Sequence, residues 1–164
     1  MHQIWLTAIG KDKPGIVARI ARVLLDHGLN IEDSQMRILG GRFAMMLLLR
    51  GSTSEEKLYK DLLVAGRELG LDYIYVHPIS AMDVASPKPT HMASLYGVDR
   101  PGQVAAVAER LAALEVNITG LSTRLEGKAS VQELELTVPE GVDIGAELTE
   151  VAHERGIRLE LAEL

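Results

Sequence analysis

An internal repeat constrains this chain more than any other feature of its sequence. Sliding the sequence by 87 positions aligns Gly10–Gly15 with Gly97–Gly102, and both segments read Gly-x-Asp-Lys/Arg-Pro-Gly. Further identical pairs fall in the same register without a gap: Val17 and Val104, Leu24 and Leu111, Asn30-Ile31 and Asn117-Ile118, Arg37 and Arg124, Gly40 and Gly127, Leu47 and Leu134. So many matches over about forty residues indicate two copies of one folding unit.

The stretch between the repeats has the composition of a linker. Asp83–Thr90 contains prolines and small residues and no apolar periodicity, which is typical of a semi-extended connection. We therefore predict a first domain over residues 1–82, a linker over 83–90 and a second domain over 91–164.

Each repeat carries the same order of predicted strands and helices. In the first repeat, residues at helical spacing predict a first helix with Pro14 in its first turn and Gly28 as its stop. A capping box of Thr53 and Glu56 predicts the start of the second helix, and Gly70 predicts its end. The predicted strands are Ile4–Ile9, Asn30–Leu39, Arg42–Arg50 and Tyr73–Ile79, with a hairpin turn at Gly40-Gly41.

The second repeat shows the same pattern. Its helices are predicted over Pro101–Glu115 and Asp143–Arg155, and a short last strand over Arg158–Ala162. The order βαββαβ is that of the split ferredoxin-like unit. We therefore predict an α+β fold of two ferredoxin-like units in tandem, each an antiparallel sheet with both helices on one face.

Composition narrows the class of protein. The chain has 164 residues, of which 47% are hydrophobic and 24% charged, so it is a folded globular chain. Lys and Arg total 17 against 23 for Asp and Glu, and this net charge of −6 argues against direct binding of nucleic acid. The absence of cysteine excludes disulfides and Cys-type zinc sites. Since no apolar run approaches the roughly 20 residues of a membrane span, we expect a cytoplasmic protein without membrane contact.

No set of catalytic or metal-binding residues stands out. The hydroxyl residues lack a nucleophile elbow, and the glycine loops match neither a P-loop nor a dinucleotide fingerprint. The histidines lack metal-ligand spacing and are expected at the surface or at helix caps: His2, His27, His77, His91 and His153. We therefore expect a protein that is not an enzyme and needs no metal or cofactor.

The repeated Asp-Lys/Arg-Pro-Gly turn allows two interpretations. In the structural one, Pro starts a helix, Gly permits a tight turn and Asp caps the helix. In the functional one, N–H groups and the positive end of the helix dipole bind a carboxylate, while Asp12 or Asp99 holds an ammonium group, as suits an α-amino acid. Asn30 and Asn117, which begin the next strand, either hydrogen-bond their own turn or offer an amide to a neighbouring unit.

Together these features resemble the ACT domain, present twice over almost the entire chain. The loop, the amphipathic helix after it, the Asn-Ile pair and the βαββαβ order carry the resemblance. Within that family, the first repeat resembles the glycine cleavage system transcriptional repressor group. The residues that carry this resemblance are Asp12–Val17, Asn30–Ser34, Phe43 and the apolar strand Met45–Arg50. That group is built from tandem ACT domains alone.

The resemblance implies regulation by amino acids. ACT domains bind amino acids between paired units and signal to an attached or partner protein. The implied ligand is a small amino acid of the glycine or serine class, and the implied partner is a DNA-binding regulator. The alternative is a dissociated regulatory subunit of an amino-acid-metabolism enzyme, and the sequence does not separate the two. The implied ligand-binding residues are Asp12, Gly15, Ile16, Asn30 and Ile31, and in the second repeat Asp99, Gly102, Gln103, Asn117 and Ile118.

The two repeats differ on one face of the predicted sheet. Along Arg42–Arg50, odd-numbered side chains are predicted to face the helices and even-numbered ones the open face. The open face of the first repeat is predicted to hold Trp5, Met46, Leu48, Tyr73 and Tyr75, and the offset places Glu133 and Glu135 at the positions of Met46 and Leu48. Because aromatic residues and Met are enriched in interfaces, we predict a homodimer through this face. Coverage by the second repeat or the linker is the alternative.

Overall fold

The computed structural model describes residues 2–79 and 87–164. The chain divides into two compact units, Met1–Ala85 and Ser86–Leu164, which hold the first and the second repeat. Of the predicted linker, residues 83–86 lie outside the described residues, and residues 87–90 have no regular secondary structure. Within the described part of the chain, no helix is long and apolar enough to cross a membrane.

Unit 1 has the predicted βαββαβ order. Its elements are β1 (His2–Lys11), α1 (Ile16–Asp26), β2 (Asn30–Leu39), β3 (Arg42–Gly51), α2 (Glu55–Leu69) and β4 (Leu71–Ile79). The strands form one antiparallel sheet in the order β2-β3-β1-β4. Strands β2 and β4 are therefore the edges of this sheet.

Unit 2 repeats this topology. Its elements are β5 (His91–Val98), α3 (Gln103–Ala113), β6 (Asn117–Glu126), β7 (Ala129–Thr137), α4 (Gly145–Arg155) and β8 (Arg158–Glu163). The antiparallel sheet has the order β6-β7-β5-β8. The predicted α+β fold of two ferredoxin-like units in tandem is confirmed.

Alternation along β3 determines which face of unit 1 is buried. The odd-numbered side chains from Phe43 to Leu49 are buried, because successive residues of a strand point to opposite faces. They share one hydrophobic core with apolar side chains of the two helices: Ile16, Ile20, Val23, Leu24, Leu58, Leu62, Ala65 and Leu69. Both helices of unit 1 therefore lie on the same face of the sheet.

The second helix of unit 1 starts one residue later than a capping box at Thr53 predicts. Ser54 is the N-cap of α2, and its hydroxyl accepts a hydrogen bond from the Lys57 N–H at 3.4 Å. The Thr53 hydroxyl lies instead 2.7 Å from Nδ1 of His27. The side chain that would have capped the helix is thus engaged in a contact with α1.

Both helices of unit 2 are shorter than predicted. The ranges Pro101–Glu115 and Asp143–Arg155 shorten to Gln103–Ala113 and Gly145–Arg155. The left-handed backbone of Gly102, with φ 87°, keeps the residues before it out of α3, and Glu115, with φ 57°, lies beyond its end. Before α4, the Asp143 carboxylate accepts a hydrogen bond from the Gly145 N–H at 2.8 Å and so occupies a capping role outside the helix.

The core of unit 2 contains a polar cluster where unit 1 is apolar. By the 87-residue offset, the buried residues Gln103, Ser130 and Gln132 stand where unit 1 has Ile16, Phe43 and Met45. Gln103 Nε2 donates to the Val98 carbonyl at 2.9 Å, and Gln132 Nε2 donates to Gln103 Oε1 at 3.4 Å. Within the described residues, Gln132 Oε1 is buried without a hydrogen-bond partner. A buried acceptor without a partner destabilises the fold.

We predict that Gln132→Met stabilises unit 2. The substitution copies Met45 of unit 1 and removes the unpartnered oxygen, which should raise the free energy of unfolding by about 1 kcal/mol or more. Denaturant-induced unfolding measures the change. The reverse substitution, Met45→Gln, should lower the free energy of unfolding by about 1–3 kcal/mol. A loss of stability in Gln132→Met would contradict this prediction, since the hydrogen bond from Gln132 Nε2 to Gln103 would then contribute more than the unpartnered oxygen costs.

Candidate functional site

The Asp-Lys/Arg-Pro-Gly segment forms a tight turn before the first helix of each unit. Gly15 has φ 93° and ψ −8°, and Gly102 has φ 87° and ψ 2°. These angles fit the third residue of a type II turn, which requires glycine there and favours proline just before it. Pro14 therefore belongs to this turn and not to the first helical turn as predicted, and α1 begins at Ile16.

The start of α1 opens onto a hollow of about 490 Å³. This hollow is lined by the loop residues Asp12 to Ala18 together with Met36 and Phe43. The Asp12 N–H donates to the Gly41 carbonyl at 3.2 Å, but among the described residues no hydrogen bond joins the Asp12 carboxylate to α1. The capping role for Asp12 is therefore not what the structure shows. The first N–H groups of a helix lack intrahelical acceptors, so an anion can bind them here beside an aspartate.

Two basic residues near this loop contact the end of α2. Lys13 Nζ donates to the Glu68 carbonyl at 3.3 Å, and the Arg19 guanidinium pairs with the Glu68 carboxylate at 2.9 Å. Carbonyl groups in the last turn of a helix attract cations. Both positive charges are thus directed to α2, although Lys13 also lines the hollow.

Unit 2 repeats the turn above a different interior. The Asp99 N–H donates to the Lys128 carbonyl at 3.0 Å, as Asp12 does to the hairpin of unit 1. The Gln103 side chain, implied as a ligand contact, is buried and donates to the Val98 carbonyl. Only the backbone of Gln103 is therefore placed to meet a molecule at the loop.

Asn30 and Asp12 lie at opposite ends of unit 1. Asn30 pairs with Arg50 at the end of β3, whereas Asp12 follows Lys11, whose partner Arg42 begins β3. Eight residue steps of about 3.3 Å separate those partners, so the two predicted ligand residues are roughly 25 Å apart. The same order of elements separates the corresponding residues of unit 2. The implied ligand residues thus fall into two groups within one unit.

A β-bulge follows the Asn-Ile pair in both units. The register of pairing shifts after Ile31 in β2 and after Ile118 in β6. In unit 1 the extra residue is Glu32, whose carboxylate accepts from Gln3 Nε2 at 2.8 Å and pairs with the Arg50 guanidinium at 2.5 Å. The hydrogen bond from Gln3, aided by Arg50, lowers the pKa of Glu32. These contacts attach the Asn30 end of β2 to both central strands.

An apolar groove of about 160 Å³ runs between α1 and the edge strand β2. It adjoins the hollow at the loop, because Val17 and Met36 line both. The other lining residues are Ile20, Ala21, Ile31, Ser34, Met45 and Leu47. All ten residues of β2 are exposed, so neither helix covers this edge. Sequence patterns did not reveal the groove, because an edge strand and a central strand show the same alternation of side chains.

His27 makes a buried polar contact that is specific to unit 1. Its side chain is 5% exposed, with Nδ1 2.7 Å from Thr53 Oγ1 and Nε2 2.8 Å from Asp61 Oδ2. His27 is the C-cap residue of α1, so this contact joins the end of α1 to α2. By the offset, unit 2 has Leu114 in place of His27, so it lacks the imidazole that makes this contact. The contact stabilises the packing of α1 against α2. The spacing of these residues in the sequence did not predict it.

The open face of the sheet in unit 1 is aromatic and apolar. Strand pairing places Trp5 opposite Leu48, Thr7 between Met46 and Tyr75, and Ile9 between Ala44 and Tyr73. Trp5, Met46, Tyr73 and Tyr75 are 37–49% exposed, whereas Leu48 is 9% exposed. The rings of Tyr73 and Tyr75 stack with centroids 6.2 Å apart. Alternation predicts this arrangement.

The same face of unit 2 is charged. Ser94, which corresponds to Thr7, lies between Glu133 and Glu160, and the Arg158 guanidinium pairs with Glu160 at 2.6 Å. Residues with water-exposed charges are depleted in interface cores, whereas aromatic residues are enriched. The two open faces therefore differ in the kind of contact they can make.

Comparison with known proteins places this chain in a family. Residues 2–75 match the model of the ACT domain. A UPF0237 protein of Methanopyrus kandleri is 45% identical over 80 residues, which cover 47% of this chain and 89% of the relative. The chain is a tandem ACT-domain protein. The glycine cleavage system transcriptional repressor of Escherichia coli is 33% identical over 130 residues, which cover 76% of this chain and 66% of the relative.

Two further matches extend over nearly the whole ACT-domain chain. A crystal structure of an unknown protein from Galdieria sulphuraria superposes with a TM-score of 0.81 and 26% identity, covering 99% of this chain and 98% of that one. A phosphoserine phosphatase of Mycobacterium tuberculosis is 26% identical over 162 residues, which are 94% of this chain but 39% of the phosphatase. The two-unit sequence is thus similar both to a chain of about the same length and to part of a longer protein.

The homodimer through the open face of unit 1 stays a prediction, which Met46→Glu combined with Tyr75→Glu tests. In unit 2, strand pairing places Glu133 and Glu160 at the positions equivalent to Met46 and Tyr75. The side chains of Met46 and Tyr75 are about half exposed. In the absence of an amino acid, we expect a dimeric wild type and a folded monomeric variant, because two buried charges without partners oppose association. Light scattering at tens of micromolar measures the mass.

The matched control for this prediction is Tyr59→Glu, on the exposed side of α2. It adds a charge to the same unit away from the open face and should leave the mass unchanged. A wild type that is already monomeric would reject the homodimer.

Proposed function

We propose that this protein is a non-enzymatic sensor of amino acids that regulates transcription through a partner protein. The observation that carries the proposal is the uncapped start of α1, which faces a hollow beside the Asp12 carboxylate. The similarity to the glycine cleavage system transcriptional repressor supports the transcriptional role. The match to the ACT domain supports a regulatory role.

The loop of unit 1 offers both contacts that an α-amino acid needs. The N–H groups at the start of α1 donate to the ligand carboxylate, where the helix dipole adds to the attraction. The Asp12 carboxylate accepts from the ligand ammonium group, a charge-assisted hydrogen bond. Gly15 serves the site indirectly, because its left-handed backbone turns the chain so that Asp12 and the helix start line one hollow.

Asn30 takes part through a second molecule in this proposal. It lies roughly 25 Å from Asp12 along the sheet, so one ligand does not reach both within a unit. The exposed edge of β2 leaves a row of backbone groups on which another molecule can pair. The Asn30 amide of one molecule then approaches the ligand at the Asp12 loop of the other.

The partner in this proposal is a DNA-binding regulator. A net charge of −6 disfavours phosphate contacts by this chain itself, so the step at DNA belongs to another protein. We place the protein in the cytoplasm, where that partner would act, and without contact to a membrane.

A regulatory subunit of an amino-acid enzyme is the second candidate. The observation that favours it is the phosphatase match, in which almost the whole chain corresponds to part of a larger protein. Purification of the tagged chain from its own cells distinguishes the two, because the first candidate brings down a DNA-binding protein and the second an enzyme.

We predict that an α-amino acid raises the melting temperature of the protein. A ligand present at 100 times its dissociation constant stabilises the folded state by about 2.7 kcal/mol. Thermal shift and calorimetric titration against all twenty amino acids measure the effect. Asp12→Ala and Asn30→Ala should each weaken binding by about 1–3 kcal/mol. Asp26→Ala, which removes an exposed pair with Arg22, is the control and should leave binding unchanged. No shift with any amino acid would reject the sensor.

We predict that the isolated protein does not bind DNA at physiological salt. Its acidic surface repels phosphates, and the described residues form no helix-turn-helix. A mobility-shift assay with a promoter fragment checks this, with and without the co-purified partner. A specific, salt-sensitive shift by the protein alone would contradict the partner model.

A further inference from the structure

We infer that the amino acid bound by unit 1 has an apolar side chain of about the size of leucine or methionine. This inference rests on the proposed function, since it concerns the same loop site. The resemblance to the glycine cleavage system transcriptional repressor group implies glycine or serine. The groove between α1 and β2 points to a larger and less polar ligand.

The groove continues the site at which the polar end of an amino acid would bind. Val17 lies in the first turn of α1 and lines both the hollow and the groove, and Met36 does so from β2. A ligand held by its carboxylate and ammonium group at the loop therefore has the groove as the adjoining space for its side chain. A ligand side chain that did not enter the groove would point into solvent on the open side of the hollow.

The lining of the groove selects by polarity. Ser34 carries the single hydroxyl among the lining side chains, and none of them is charged. A charged ligand side chain would lose water there without gaining an ion pair, which is unfavourable. An apolar side chain gains instead from the removal of apolar surface on both sides.

The size of the groove selects by volume. An aliphatic cavity of about 150 Å³ takes up a molecule as large as benzene. The groove has about 160 Å³, so a leucine, isoleucine or methionine side chain fits. Glycine has no side chain and would leave the groove empty. The serine side chain would fill little of it, and Ser34 is the one polar side chain of the lining that its hydroxyl could contact.

This selectivity belongs to unit 1. By the offset, unit 2 has Thr123 in place of Met36 and the buried Gln132 in place of Met45. The corresponding region of unit 2 is therefore more polar, although its loop has the same backbone.

The first experiment compares amino acids on the intact protein. Leucine, isoleucine and methionine are titrated against glycine, serine, lysine and glutamate at equal concentrations, by thermal shift and by calorimetry. We expect at least about tenfold tighter binding for the apolar set than for glycine, because each buried CH₂ adds about 0.8 kcal/mol and 1.4 kcal/mol is tenfold.

The second experiment uses a matched pair of variants. Val17→Thr places a hydroxyl in the groove without changing the shape of the side chain, and Val64→Thr makes the same change on α2. The two valines are 50% and 49% exposed, so the substitutions should affect folding alike. We expect Val17→Thr to weaken leucine binding at least about fivefold and Val64→Thr to leave it unchanged.

The outcomes separate this inference from the proposed function. Glycine or serine binding as tightly as leucine would reject the apolar ligand and leave the sensor intact. No binding of any amino acid would reject the sensor itself. Leucine binding that Val17→Thr does not change would also overturn the inference, since the ligand would then lie elsewhere. If Val17→Thr changes the mass in light scattering but not the affinity, the groove is a contact between molecules and the inference is wrong.

Discussion

The covering of only one face of each sheet by helices is the constraint on which the rest of this structure depends. In unit 1, β3 buries its odd-numbered side chains from Phe43 to Leu49 against α1 and α2, and burial of this apolar surface is the main driving force of folding. The opposite face and the edge of β2 are left without a cover inside the unit. Their chemistry is therefore free to differ between the units, as Met46 and Glu133 show at equivalent positions.

The two units have kept the backbone of the loop and changed what lies beneath it. Gly15 and Gly102 both need a left-handed conformation, which side chains other than glycine adopt only with strain. The residue after each glycine carries no such restriction, and it is Ile16 in unit 1 and Gln103 in unit 2. The same turn therefore lies above apolar side chains in unit 1 and above the polar cluster of Gln103, Ser130 and Gln132 in unit 2.

Features determined by neighbouring residues were predictable from the sequence, and features determined by distant ones were not. The helix stop at Gly28 and the hairpin turn at Gly40-Gly41 gave the bounds of β2 as they stand in the structure, because both signals lie next to the strand. The contact of His27 with Thr53 and Asp61 joins segments 26 and 34 residues apart, and it also explains why Thr53 does not cap α2. No local pattern contains that information.

The candidate site shows the same limit. Asp12 and Gly15 line one hollow because they are neighbours in the loop motif, but α1 begins at Ile16, two residues later than the motif predicts. The separation of Asp12 from Asn30 depends on the order β2-β3-β1-β4, in which β2 runs antiparallel to β3 and β3 to β1. Motif spacing carries no strand order, and the groove beside Val17 exists only because β2 is an edge.

Strand β2 borders both candidate surfaces of unit 1. Ser34 and Met36 line the groove, while Asp33 and Gln35, which alternate with them, lie beside Trp5 on the open face. An edge strand is held by hydrogen bonds on one side only, so shifting it breaks fewer bonds than shifting a central strand. A ligand side chain in the groove and a partner on the aromatic face would therefore contact opposite sides of the same edge strand.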